Sequence, residues 1–468
     1  MRVLIQLRPS LAVRAGEVPP AGLTEESLGG LPAAVALDTA FAPVPIPTPV
    51  AEEPGADRFA YGVPRRWATG PRDVTHVVRG SIPDGVAQRS ALAELGSHPD
   101  VVGVFSDPVI ENTLVCPGDP AMGSAADVAA QTGAGALAAK GMDGRRVTLA
   151  VVDTGVNVSH LRAKGQHPKL DARRSWTPPG VTTKPGQHPV DHGTMCAFDT
   201  AITAPKATLV DYAVLLSRAQ GQTVMSGLLS DAVVAYSKLR QVLDRIPAAR
   251  RALVVSNSWG MFSPSWDFPV GHPGNYSDNP AHPFNVIVGS LEAAGADILF
   301  AAGNCGRDCP DSRCQFGKTR PICGASSHPS VISVAGVDVK RNRAGYSSQG
   351  PGRLTAQKPD MCGYTHFKGS DVYPADGGTS AACPVLAGFV AAVRSKYPAT
   401  KLAPAQLRAL LYKTAIDLGG SGFDYDYGWG VPDPSAFVSA LETATPGASR
   451  AGRRRSPRRA RPRARAAA

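Results

Sequence analysis

Residues 145–155 read RRVTLAVVDTG, and the reading of that run decides the fold. Between Val147 and Val152 only Thr148 is polar, and apolar and polar positions do not alternate. A strand with one wet face alternates, whereas a run this continuous is covered on both faces. It ends at Asp153, Thr154 and Gly155, residues that suit a turn. The same texture returns at 207–215 (ATLVDYAVL), 252–260 (ALVVSNSWG), 296–304 (ADILFAAGN) and 330–337 (SVISVAGV), with helical stretches such as 225–246 between them. Buried strands alternating with helices predict an α/β fold, a doubly wound and mostly parallel sheet with helices on both faces. Ligands in such sheets bind beyond the carboxyl ends of the strands. Asp153 and Asn304 stand at two of those ends.

The chain has 468 residues, enough for two or three domains, and its 43% hydrophobic content is ordinary for a globular protein. No stretch approaches the roughly eighteen apolar residues of a membrane span. The opening MRVLIQLRPSLAVRAGE meets Arg8 and Pro9 too early for a signal-peptide core, so the expectation is a cytoplasmic or non-classically exported protein. Net charge is +11, but residues 450–468 hold nine arginines and no acid, and without them the balance falls to +2. The basicity therefore belongs to a Pro-punctuated tail, either a solvated end or a contact for an anionic partner. Of eight cysteines, four crowd into CGRDCPDSRCQFGKTRPIC (305–323), with three, four and eight residues between them. Zinc sites favour tighter pairs. Reduced thiols and a disulfide-pinned loop both remain open.

Upstream, RVLIQL (2–7) reads as a strand and residues 41–56, rich in proline, as extended linker. VTHVVRGSI (74–82), DGVAQRSALAELGSHP (84–99) and VVGVFSDPVI (101–110) read as strand, helix and strand, a small α+β unit with Val86, Leu92 and Leu95 on one helix face. The expected divisions are 1–70 (strand and linker), 71–118 (α+β unit), 119–445 (large α/β domain) and 446–468 (tail).

Four short stretches carry chemistry. VVDTG ends in Asp153, VDHGTMCAF carries His192 before a helical pattern, AAGN offers the Asn304 amide, and GGTSAACP puts Ser380 at the start of an apolar helix. A serine hydroxyl is a poor nucleophile until a histidine accepts its proton, and a buried carboxylate can orient that histidine. An amide donor and a helix start can hold an oxyanion. Asp153, His192, Asn304 and Ser380, in that order and within those motifs, resemble the subtilases, the subtilisin-like serine proteases. SNSWG (256–260), the stretch 328–351 with KPD (358–360), and YGWGVPDPSAF (427–437) are similar to further subtilase segments, so the likeness covers roughly 125–443.

The resemblance implies a serine endopeptidase working through an acyl-enzyme on protein or peptide substrates. Asp153, His192 and Ser380 would be catalytic, and Asn304 with the Ser380 N–H would form the oxyanion hole. Ser258, Trp259, Gly260, Ala301, Ala302 and Gly303 would bind substrate. It also implies that 71–118 resembles the end of a propeptide that is cut off near residues 112–125, so the chain's own N-terminal region is a partner. No cofactor is required. Calcium is common in the family, but Asp424 and Asp426 are too few to assign a site. Met195 stands where family members often carry histidine, and Cys196 and Cys383 lie just behind His192 and Ser380. The rival reading is a catalytically idle subtilase-like binding module using the Arg-rich tail.

Overall fold

The computed structural model describes residues 1–9, 31–32, 34–50, 66–70, 73–82, 84–112, 120–216, 226–315 and 320–444. The Arg-rich tail, and residues 113–119 of the expected cleavage window, lie outside the described residues.

The N-terminal unit is built on non-local pairing. Strand β1 (Arg2–Leu7) lies at the centre of a small antiparallel sheet. Strands β2 (Ala36–Leu37) and β3 (Val44–Ile46) pair with the outer edge of β4 (Thr75–Ser81). β4 pairs with β1, and β5 (Val101–Ser106), which follows helix α1 (Val86–Ser97), pairs with the other side of β1. Two sequence expectations need correction here. The division at residue 70 fails, because β1 pairs Arg2 with Ser81 and supplies the centre of the sheet. Part of the proline-rich stretch is strand rather than linker. In VPI the valine and isoleucine are buried and Pro45 points outward, the place where an edge strand tolerates proline.

The small sheet uses both faces. Val3, Ile5, Leu7 and Val78 pack with Ala91 and Leu95 of α1 in the unit's own core. Leu4, Val44, Ile46 and Val77 turn the other way and join the core of the large domain. The run VVGVFSDPVI, read from sequence as one strand, is broken at Asp107–Pro108 into β5 and β6 (Val109–Asn112). β6 leaves the small sheet and enters the large domain.

The large domain carries seven parallel strands: β7 (Thr148–Val152), β8 (Lys169–Leu170), β9 (Thr208–Tyr212), β11 (Leu253–Asn257), β13 (Ala296–Ala301), β14 (Ile332–Val337) and β15 (Met361–Tyr364). Their order across the sheet is β8-β9-β7-β11-β13-β14-β15, so the chain reverses direction of winding around β7. All five residues of β7 are buried, as the unbroken apolar run predicts. One face is covered by α2 (His192–Ala201) and α5 (Gly378–Arg394), whose apolar residues share a core with Leu149 and Val151. Ala150 and Val152 face the other way, toward α3 (Leu229–Asp244) and α4 (Pro283–Ala293). Two short strands stand outside the main sheet: β10 (Ser226–Leu228), just before α3, and β12 (Trp259–Gly260), just after β11.

Asp107 docks the two units. Its carboxyl oxygens accept the Ser230 N–H at 2.8 Å and the Ser230 hydroxyl at 3.0 Å, in the first turn of α3. Arg79 of β4 reaches Ser230 Oγ at 3.1 Å and Asp231 at 3.2 Å.

At the far end of α5, the Arg394 guanidinium and the Asp297 carboxylate meet through two contacts of 2.5 and 2.6 Å, both side chains almost wholly buried. Removing one partner strands the other charge in an apolar core. Arg394→Met is expected to destabilise the protein by about 3–5 kcal/mol, read as a fall in the urea midpoint.

Candidate active site

Asp153 follows the last residue of β7 and is buried. α2 begins at His192, with Asp191 as its N-cap. The two motifs lock together through their neighbours. The Gly193 N–H donates to Thr154 Oγ1 at 2.8 Å, and the Asn157 N–H donates to Thr194 Oγ1 at 3.0 Å. A Cβ on Gly193 would stand 2.5 Å from the Gly155 carbonyl oxygen, so only glycine permits the approach.

The result is a His192 Nδ1–H that donates to Asp153 Oδ1 at 2.8 Å. That bond selects the tautomer, leaving a lone pair on Nε2. Nε2 is buried and has no hydrogen-bond partner among the described residues. Burial alone would lower the imidazole pKa, but the charge and hydrogen bond of Asp153 outweigh it, and the pKa is raised above the ordinary 6.5.

Ser380 is the third residue of α5, and Gly378 before it adopts φ 72°. The sequence places Pro384 close behind, where a first-turn proline would cost little. The helix begins at Gly378, however, so Pro384 lies in its second turn. Having no N–H, it leaves the carbonyl four residues back without its helical partner, and that carbonyl is Ser380's own. Two side chains fill the gap: the Ser258 hydroxyl donates to it at 3.0 Å and the Cys196 thiol at 3.5 Å. Ser380 Oγ in turn donates to the Ser258 carbonyl at 3.4 Å. The same Cys196 sulfur lies 3.6 Å from Asp153 Oδ2 and 3.8 Å from His192 Nδ1, so one small side chain touches all three motifs.

Asn304 lies three residues beyond β13 and is fully buried. Its Oδ1 accepts the Thr379 N–H and the Thr379 hydroxyl, both at 2.9 Å. Those bonds settle the amide orientation, so the Nδ2 end is the one presented away from Thr379. Of the expected substrate-binding residues, Ala301 and Ala302 are buried beneath Asn304, and Gly303 donates its N–H to Thr379 Oγ1 at 3.1 Å. Trp259 and Gly260 form β12, but the indole packs edge-on against Phe300 in the core, so this strand offers its backbone for pairing.

That backbone is occupied. β6 pairs antiparallel with β12, Asn112 opposite Trp259 and Glu111 opposite Gly260. On its other side β6 pairs with β10, Ser226 opposite Glu111 and Leu228 opposite Val109. β10 escaped the sequence reading because Ser226–Leu228 was absorbed into the helix that begins at Leu229.

The cysteine-rich loop resolves in favour of both open readings. Cys305 and Cys314 form a disulfide, while Cys196, Cys323, Cys362 and Cys383 are buried thiols. Burial pushes the Cys196 thiol well up and the Cys383 thiol to about 12, so both behave as small protonated hydrophobes. Met195, in place of the family's usual histidine, is buried in the core with them. Asp424 is occupied by the backbone, accepting N–H groups of Gly420, Asp426 and Tyr427, and Asp426 accepts from Gln349. The pair makes no oxygen cage, and calcium does not fit there.

The subtilase family model matches residues 144–430, which include all four motifs. The chain belongs to the subtilase family. It is a serine endopeptidase, a hydrolase of peptide bonds. Subtilisin E of Bacillus subtilis (strain 168) is 29% identical over 310 residues, covering 64% of this chain and 68% of that protein. Subtilisin of Bacillus pumilus is 28% identical, with 64% and 94% covered. Fervidolysin of Fervidobacterium pennivorans is also 28% identical, with 62% and 40% covered. The identities are modest, so the contacts around Arg394, Cys196 and the 305–314 loop have to be read from this subtilase itself.

The close approach of the Asp and His motifs is open to test. Gly193→Ala forces the Gly155 carbonyl away, and overpacking of that kind costs about 1–3 kcal/mol. The expected outcome is a lower Tm together with loss of peptidase activity far beyond what the stability change explains.

Proposed function

We propose that Ser380 is the nucleophile, His192 the general base and then acid, Asp153 its orienting carboxylate, and Asn304 with the Ser380 N–H the oxyanion hole. Ser380 Oγ attacks the scissile carbonyl carbon while His192 Nε2 takes its proton. The carbonyl oxygen becomes an oxyanion held by the Asn304 Nδ2 donor and by the N–H groups at the start of α5, where the helix dipole adds to the attraction. Collapse of the tetrahedral species breaks the C–N bond, and the amine leaves with the proton from Nε2. Water then repeats the sequence on the acyl-enzyme and releases the acid. The observation that carries this reading is the buried His192, tied to Asp153 through Nδ1 and presenting an Nε2 without a partner among the described residues.

The N-terminal unit acts as a propeptide in this reading. What supports it is β6, an extended segment held between β10 and β12 by main-chain pairing, as a substrate would be. Self-cleavage C-terminal to Asn112 would free the cleft. The Cys305–Cys314 disulfide favours work in an oxidising compartment over the cytoplasm, and an anionic partner for the Arg-rich tail belongs to the same extracytoplasmic picture.

Ser380→Ala is expected to lower kcat by about 10⁶-fold, the scale seen when a subtilisin loses its nucleophile. A fluorophosphonate probe should label wild type and not the variant, and the variant should stay full length while wild type shortens from its N-terminus. Peptidase activity above a few per cent in the variant would remove Ser380 from the mechanism.

The base must be neutral to act, so activity falls as pH drops through the raised His192 pKa. Opening the cleft weakens burial, the cause that lowers this pKa, while Asp153 remains. The acid limb of kcat/KM is therefore expected to have its midpoint above 6.5, measured with a neutral peptide substrate.

A further inference from the structure

The loop pinned by Cys305–Cys314 carries Arg313, whose guanidinium is braced from two directions. Nε and Nη2 donate to Asp311 at 3.1 and 2.7 Å, and the guanidinium carbon lies 4.5 Å over the Phe262 ring. The Asp311 side chain is fully buried, its N–H donates to the Asn304 carbonyl at 2.7 Å, and Cys314 closes the loop one residue beyond Arg313. Arg313 is thus fixed to the same segment that carries Asn304.

From that position it reaches the occupied cleft twice. Nη2 donates to the Asn112 carbonyl at 2.7 Å, a main-chain contact available to any sequence. Nη1 donates to the Glu111 carboxylate at 2.7 Å, with the two side chains only 19% and 13% exposed. Glu111 is the residue opposite Gly260 in the antiparallel ladder.

We propose that Arg313 forms an acid-reading subsite: this protease prefers substrates, its own N-terminal segment included, with glutamate at the position paired to Gly260. The proposal rests on the reading that peptides are cleaved in the cleft β6 occupies. The Asn112 contact grips the main chain, and the Nη1 contact discriminates. A charge-assisted hydrogen bond with little exposure sets the expected discrimination at about tenfold for glutamate over glutamine, more over lysine. Because Arg313 is already braced by Asp311, Phe262 and the disulfide, little side-chain entropy is lost on binding.

The test uses enzyme purified after expression of the full chain and peptides copying residues 105–122, with Cys116 replaced by serine and Glu, Gln or Lys at the position of Glu111. Wild type should cleave the Glu peptide with about tenfold higher kcat/KM than the Gln peptide. In Arg313→Gln that ratio should fall to within about twofold, with fluorophosphonate labelling of Ser380 showing that the variant has folded. In the full chain, Glu111→Lys should slow release of the N-terminal unit. Equal kcat/KM for the three peptides, while casein is still degraded, would overturn the acid-reading subsite and leave the protease reading intact. Retention of the full Glu preference in a labelled Arg313→Gln variant would also overturn it. Absence of both labelling and cleavage in wild type would instead remove the protease reading, and this proposal with it.

Discussion

The hydrogen bond from His192 Nδ1 to Asp153 is the constraint on which the rest of the site depends. Polar groups this deeply buried are tolerated only when their hydrogen bonds are made. Asp153 must therefore end a strand covered on both faces, and His192 must open a helix packed against that strand's end. Gly193 is required because its backbone passes the Gly155 carbonyl within the space a single methyl would fill, and Gly155 because it adopts φ 95° with the His188 ring where a Cβ would stand. Satisfying Nδ1 in this way leaves Nε2 without a hydrogen-bond partner among the described residues.

A second economy concerns Ser380. Proline in the second turn of α5 removes a helical hydrogen bond, usually a cost of several kcal/mol. Here the freed carbonyl belongs to Ser380, and Ser258 and Cys196 take it up. Those bonds tie the helix start to the junction of β11 and β12 on one side and to the helix of His192 on the other. What reads in the sequence as a helix-breaking residue works as a means of anchoring the Ser380 backbone from outside its own helix.

The occupied cleft joins the two units of the chain. The small sheet shares its outward face with the core around α3, and Asp107 satisfies donors at the start of that helix. Pro108 then breaks the strand, so β6 can turn away from the small sheet and pair with β10 and β12. The N-terminal unit is therefore held to β10 and β12 by main-chain pairing, while Arg313 adds a side-chain contact to Glu111 from the loop beside Asn304. Core burial, strand pairing and one charge contact act on the same short segment, each with different sequence demands.

The sequence alone determined the parallel sheet, because unbroken apolar runs such as 147–152 have no other comfortable environment. It also marked Asp153, His192, Asn304 and Ser380, because their chemistry is local to short Gly-flanked motifs. The division at residue 70, the strand inside the proline-rich stretch and the role of Ser226–Leu228 were not legible. Each depends on a pairing partner tens or hundreds of residues away, which no local pattern encodes. Trp259 shows the same dependence: its backbone pairs with β6 while its indole fills the core, and only packing decides where the side chain goes. In the sequence Arg313 is one charge in a cysteine-rich loop, and tertiary structure alone decided that the fold would bring it to Glu111, because a loop and a strand 202 residues apart meet only in the folded chain.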